Sequence, residues 1–89
     1  MEYEVVISDD AKYHIEQFRK SGQKIITKKI DDLLKELKIH PKTGTGHPEQ
    51  LKGLPGRWSR RITGKHRLIY KIQEEVVVVI VLSAFGHYD

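Results

Sequence analysis

The spacing of apolar positions changes along this 89-residue chain, and each spacing predicts an element. Tyr3 to Ile7, YEVVI, is rich in β-branched residues and reads as a short strand. Ser8, Asp9 and Asp10 follow as an N-cap and an acidic first turn. Ala11, Ile15 and Phe18 then form one stripe of a helix running to about Lys20, with Gly22 placed to end it. A second helix is predicted from Lys24 to Ile39, where Ile26, Ile30, Leu33, Leu34 and Leu37 make a wider stripe that Pro41 closes. The two stripes can face each other in an αα-hairpin whose remaining outer surface covers a sheet.

HPKTGTGHPEQLKGLPG is a loop by its Gly and Pro content, and at about 17 residues it is longer than most connections in a compact domain. Its glycines neither follow a strand nor open a helix, so it is not a phosphate loop. RWSRRI, RLIYKI and VVVVIVLS read as three strands separated by TGKH and QEE. The predicted order over residues 1–89 is β-α-α-β-β-β, a single α+β domain with a helical hairpin on one face of a mostly antiparallel sheet.

Strand alternation sorts the charges. Burying Trp58 and Ile62 turns Ser59 and Arg61 to the opposite face, and burying Leu68, Tyr70 and Ile72 turns Arg67 and Lys71 there too. The sheet therefore has a helix-covered side and a basic side. Arg60 has core-side parity and is expected to snorkel at the edge. The last strand is apolar on both faces, as expected of a central position or a subunit contact. Its parity groups His87 with Ser83 and Phe85, although Gly86 permits a turn that breaks the phase.

Composition narrows the chemistry. With 38% hydrophobic and 31% charged residues the chain is in the globular range. It has no cysteine, which excludes disulfides, thiolate catalysis and Cys-based zinc sites. The acidic start MEYEVVISDD is unlike a signal peptide, and the longest apolar run, Val76 to Leu82, is far short of a membrane helix; a soluble cytoplasmic protein is expected. His14, His40, His47 and His66 show no ligand spacing on one element, so neither a metal nor another cofactor is expected. The formal net charge of +4 is unevenly spread: residues 1–39 carry eight basic and eight acidic side chains, whereas residues 40–73 carry eight basic ones against Glu49 alone. A polyanion such as RNA is the partner that fits.

RNA can be cut without a metal when its 2′-hydroxyl attacks the adjacent phosphate, given a base, an acid for the leaving 5′-oxygen and positive charge on the phosphorane. Glu49 is the candidate base, His87 the candidate acid, and Arg67 the cation that binds phosphorane oxygens in a fork. Lys52 and Arg61 can hold flanking phosphates, and Tyr88 can stack on an unpaired base.

The patterns GHPEQLKG, WSRRITGKHRLIY and the terminal His87-Tyr88 resemble those of the YoeB/Txe-type toxins of bacterial type II toxin–antitoxin modules, within the RelE superfamily. The resemblance spans nearly the whole chain. It implies a RelE-like fold, a ribosome-dependent mRNA endoribonuclease acting in the A site, a cognate antitoxin and, in some members, a homodimer. Matched motif by motif, it points to Glu49, Lys52, Arg61, Arg67, His87 and Tyr88. The chain departs from the family in adding Asp89 after the His-Tyr pair and in the SAFG that precedes it. Two other functions are compatible with a basic RelE-like domain: ParE-like gyrase binding, which has no need of Glu49, Arg67 and His87, and plain RNA or DNA binding, which would survive the loss of Glu49 and His87.

Overall fold

A computed structural model describes residues 2–85; the expectations placed on His87 and Tyr88 lie outside the described residues. The elements are β1 (Glu4–Ile7), α1 (Asp9–Lys20), α2 (Lys24–Leu37), β2 (Glu49–Gln50), β3 (Arg57–Arg61), β4 (Arg67–Gln73) and β5 (Val78–Ser83). The sheet runs β1-β5-β4-β3-β2. Only β1 and β5 pair in parallel; the other neighbours are antiparallel. Two helices lie on one face of an α+β sheet, as the alternating and helical patterns predicted, with one strand more than the four they called for.

Local chemistry explains the elements. Ser8 caps α1, its Oγ accepting the Ala11 N–H at 3.1 Å and donating to the Leu82 carbonyl at 3.0 Å, so one hydroxyl starts the helix and ties it to β5. Asp9 and Asp10 in the first turn and Arg19 and Lys20 in the last oppose the helix dipole. Ala11, Ile15 and Phe18 of α1 and Ile30, Leu33 and Leu37 of α2 pack on Leu68, Tyr70, Ile72, Val79 and Val81 of the sheet. β5 lies between β1 and β4, which accounts for its apolar character on both faces.

Three details depart from the sequence pattern. The long loop contains a two-residue strand, β2, on the free edge of β3. Val76 and Val77 were expected in the last strand, yet Glu74–Val76 form a 3-10 turn and Val77 takes left-handed angles, φ 55° and ψ 48°, because an antiparallel β4–β5 connection has to reverse the chain there. Leu82 is the extra residue of a bulge, since Tyr70 pairs with Val81 but Ile69 pairs with Ser83, and strand parity cannot be extrapolated past it.

Arg60 is the larger correction. It does not snorkel; it is completely buried. Its guanidinium donates through Nε to the Tyr70 hydroxyl at 3.1 Å, through one terminal nitrogen to Glu36 Oε1 at 3.0 Å and the Thr45 carbonyl at 3.3 Å, and through the other to the Thr43 carbonyl at 2.7 Å. The His40 carbonyl takes the remaining proton. All five donors are used, which is the condition under which a buried guanidinium is tolerated. Tyr70 adds a bond from its hydroxyl to the Pro41 carbonyl at 2.7 Å, and burial pushes this phenol up, against the opposing effect of Arg60. The loop packs tightly enough to need its glycines: at Gly44, φ +118°, a Cβ would collide with the Glu36 carboxylate, and at Gly46, φ +84°, it would sit 2.8 Å from the Arg61 carbonyl.

Removing this arginine should be severe. Arg60→Leu is expected to destabilise the fold by roughly 3–5 kcal/mol in chemical denaturation, because four loop and helix acceptors and the Tyr70 hydroxyl lose their shared donor. The pH dependence follows from Glu36. Partial burial pushes its carboxyl up, but hydrogen bonds from Thr45 and the charge and hydrogen bond of Arg60 outweigh it and hold the group below its ordinary 4.5. A lowered carboxylate stabilises the fold above the unfolded-state value and loses that contribution as pH falls through the folded one. Wild-type stability should decline from about pH 4.5 downward, and Glu36→Gln should flatten that part of the profile.

Candidate nucleic-acid interface

The face of the sheet turned away from the helices holds three of the predicted site residues, Glu49, Arg61 and Arg67. Register fixes which side chains share it. Glu49 lies opposite Ser59, Ser59 opposite Ile69, and Ile69 opposite Ser83, one row across four strands. On one side of that row Arg61 is paired with Arg67, and on the other Arg57 is paired with Lys71. Arg57, Ser59 and Arg61 have the parity opposite to Trp58 and Arg60, which point into the core side. Strand spacing and rise put the Cα atoms of Glu49 and Arg67 about 12 Å apart.

This arrangement is electrostatically unfavourable by itself. Two like-charged pairs stand directly opposite each other on adjacent antiparallel strands, a placement that opposes folding by a few tenths of a kcal/mol up to about 1 kcal/mol each. Among the described residues no salt bridge involves Arg57, Arg61, Arg67 or Lys71. Glu49 is exposed in the middle of this cationic field, Arg61 is exposed and Arg67 is half-buried. A surface that concentrates unscreened cations around one carboxylate is suited to a polyanion with a proton to lose.

The predicted residues are not all equally placed. Glu49, Arg61 and Arg67 share the face. Lys52 is exposed in the turn between β2 and β3, toward the Arg57–Lys71 end and away from Arg61 and Arg67. His87 and Tyr88 lie outside the described residues. The same alternation that selected Arg61 also places Arg57 on this face, so Arg57 was legible as a phosphate contact and was missed. Among the described residues no cluster of three or more His, Asp or Glu side chains is arranged to hold a metal ion, and no helix is long and apolar enough to cross a membrane.

A second group gathers where β5 ends, on the helix-covered side. The Phe85 ring stacks against His14 of α1 (centroids 5.1 Å, 19° between planes) and against His66, just before β4 (5.3 Å, 24°). Phe18 meets both Phe85 and His66, at 5.2 and 5.1 Å. The Ala84 N–H donates to His14 Nδ1 at 3.1 Å. Sequence reasoning had considered these histidines only as metal ligands; the sequence carried no sign of this pairing, since His14 and Ala84 are 70 residues apart.

Comparison with known proteins bears on this geometry. Residues 7–88 match the family model of YoeB-like toxins of bacterial type II toxin–antitoxin systems. The chain is 45% identical over 64 residues to Toxin YoeB of Streptomyces coelicolor, covering 71% of this chain and 74% of that one. The YoeB dimer from Staphylococcus aureus superposes with a TM-score of 0.84 at 32% identity, covering 99% of this chain and all of the other. The YoeB-YefM complex from the same organism matches with a TM-score of 0.80 at 32% identity, over 99% of this chain and all of that one. With the five-stranded fold, the basic face and Glu49 within it, these matches make the chain a member of the YoeB-like toxin family of type II toxin–antitoxin systems.

Proposed function

We propose that this toxin is a metal-independent, ribosome-dependent mRNA endoribonuclease that cuts message in the decoding A site. The observation that carries the reading is the lone carboxylate of Glu49 in a row bracketed by two like-charged pairs, Arg61 with Arg67 and Arg57 with Lys71. A surface selected only for stability would not oppose arginine to arginine; an incoming phosphate backbone relieves that repulsion.

In the proposed reaction Glu49 takes the proton of the 2′-hydroxyl and the freed oxygen attacks the adjacent phosphorus. Arg67 holds the non-bridging oxygens as negative charge accumulates. The bond from phosphorus to the 5′-oxygen breaks, and His87 gives that oxygen a proton. The products are a 2′,3′-cyclic phosphate and a 5′-hydroxyl. Lys52 and Arg61 bind flanking phosphates, and Tyr88 stacks on an unpaired base. The ribosome supplies the in-line orientation of the substrate, which contributes much of such a rate.

The antitoxin is proposed to be a small protein whose acidic, flexible segment covers the basic face, a coupling of folding and binding suited to such a surface. The complex of the Staphylococcus aureus relative with YefM supports a partner of this kind, and the dimer of that relative supports self-association. We place the enzyme in the cytoplasm, with the ribosomes on which it acts.

Three measurements test the reading. On programmed ribosomes wild-type protein should cut mRNA, and Glu49→Ala and His87→Gln should each lower the cleavage rate by about 10²–10⁴-fold while still binding. Binding by wild type without cleavage would instead make it a non-catalytic inhibitor. End analysis of the fragments should find cyclic phosphate, and 3′-hydroxyl ends would rule out attack by the 2′-oxygen. Arg61→Thr removes one like-charged pair, so it should raise thermal stability slightly while weakening RNA binding and reducing the salt dependence by about 0.7–1 in log–log slope. Lys28→Ala, on the helical side, should leave that slope unchanged.

A further inference from the structure

We propose that Arg57 and Lys71 form a second phosphate subsite, separate from the one at Arg61 and Arg67, which holds the message about two linkages away from the bond that is cut. The inference rests on RNA as the ligand of the basic face and deepens that reading by fixing which linkage the far end of the face engages.

The positive charge on this face is not a continuous stripe. Arg61 is paired with Arg67 and Arg57 with Lys71, and the row between them presents Ser59 and Ile69, 2% and 3% exposed. Beyond Lys71 the same face continues through Gln73, paired with Val78, and toward β1 it continues through Ile80 and Val6, all uncharged. Glu4 closes the outer row with negative charge. The second pair is thus a bounded site. Four residues of antiparallel strand separate Arg57 from Arg61 and Arg67 from Lys71, about 13 Å or roughly two internucleotide steps of an extended single strand.

The ladder brings the members of each pair together. The Gly56 carbonyl accepts the Ile72 N–H at 2.9 Å and the His66 carbonyl accepts the Ile62 N–H at 2.9 Å, so a hydrogen-bonded position adjoins each like-charged pair. Both pairs therefore occupy non-hydrogen-bonded positions, where Cα atoms approach to about 4.5 Å and side chains are closest. The Arg57 backbone is also held by the turn before it, its N–H donating to the Leu54 carbonyl at 3.0 Å and its carbonyl accepting the Leu51 N–H at 2.9 Å. Among the described residues no ion pair offsets the repulsion between Arg57 and Lys71. A phosphate placed between them does: the guanidinium binds two non-bridging oxygens in a fork, and the ammonium adds a point charge. Lys52, in the turn toward the same end, adds positive charge beside this subsite.

Neutralising one phosphate at a time tests the register. Ribosomes are programmed with messages that each carry a single uncharged methylphosphonate linkage, stepped along both sides of the cut, and wild type is compared with Arg57→Gln and Lys71→Gln. Wild type should lose about 3- to 10-fold in kcat/KM at a linkage two steps from the cut, and in either variant that linkage should become insensitive. Arg61→Thr should keep the remote sensitivity. Thermal melting is the folding control: each of the two glutamine substitutions removes a like-charged pair and should leave Tm unchanged or slightly higher. A wild-type profile with no sensitivity at the remote linkage, or one that both glutamine variants leave unaltered, overturns the subsite. So does a loss of sensitivity in Arg57→Gln spread equally over every linkage, which marks general attraction to the polyanion. If wild type does not cut, the enzyme reading fails, and the same scan read as binding of 2′-O-methyl oligonucleotides by fluorescence anisotropy at low salt decides the subsite alone. There, absence of binding, or a profile that Arg57→Gln leaves unaltered, overturns it.

Discussion

An arginine with no exposed surface holds the approach to Glu49. Arg60 connects one carboxylate of α2, three carbonyls of the loop and a tyrosine hydroxyl of β4, and its acceptors lie 10 to 24 residues away in sequence. Each bond by itself is ordinary. Together they turn a glycine-rich connection, which in isolation would sample many conformations, into a fixed path from the end of α2 to the edge of β3. The Arg61 N–H completes the path by donating to the Gly46 carbonyl at 2.6 Å. Glu49 then enters the sheet opposite Ser59. The one acidic side chain of the basic region owes its position to an arginine that never meets solvent.

The same strand supplies the interior organiser and the exterior cation. Arg60 and Arg61 are adjacent, and the two-residue period of a strand sends them to opposite faces. One is buried with every proton donated; the other is exposed opposite Arg67. Core packing and exposed positive charge are thus divided between faces. The helical side carries the core, while the other side is free to hold a charge pattern that stability alone would disfavour. The trade between the two is local, since the repulsion of the exposed pairs is confined to residues that take no part in the main core.

Much of this was legible in the sequence. Helical stripes ending at Gly22 and Pro41, strand alternation around Trp58 and Tyr70, and the apolar last strand each followed from a period and a stop signal, and these are local properties. The basic face came from the same alternation. What escaped depended on distant partners. Core-side parity was read correctly for Arg60, yet its burial rests on acceptors contributed by α2 and the loop, which no local pattern announces. β2 is two residues long and has no period to detect. Val76 and Val77 look like strand because they are β-branched, but the chain must reverse where they lie. The contact between His14 and Ala84 is the extreme case: neither residue is unusual where it stands, and only the packing of α1 over the end of β5 makes them neighbours.

The restraints on the loop and on the end of β5 solve the same size problem. A chain of 89 residues buries one modest core, which cannot also grip its loop and its last strand by hydrophobic area. Arg60 holds the loop from below through directed hydrogen bonds, and His14 holds the strand end through one hydrogen bond and a ring stack. Directed contacts of this kind fix orientation with few atoms, whereas apolar packing of equal area would fix only proximity. Two side chains on different elements therefore fix segments that the single core of this small domain does not reach by packing.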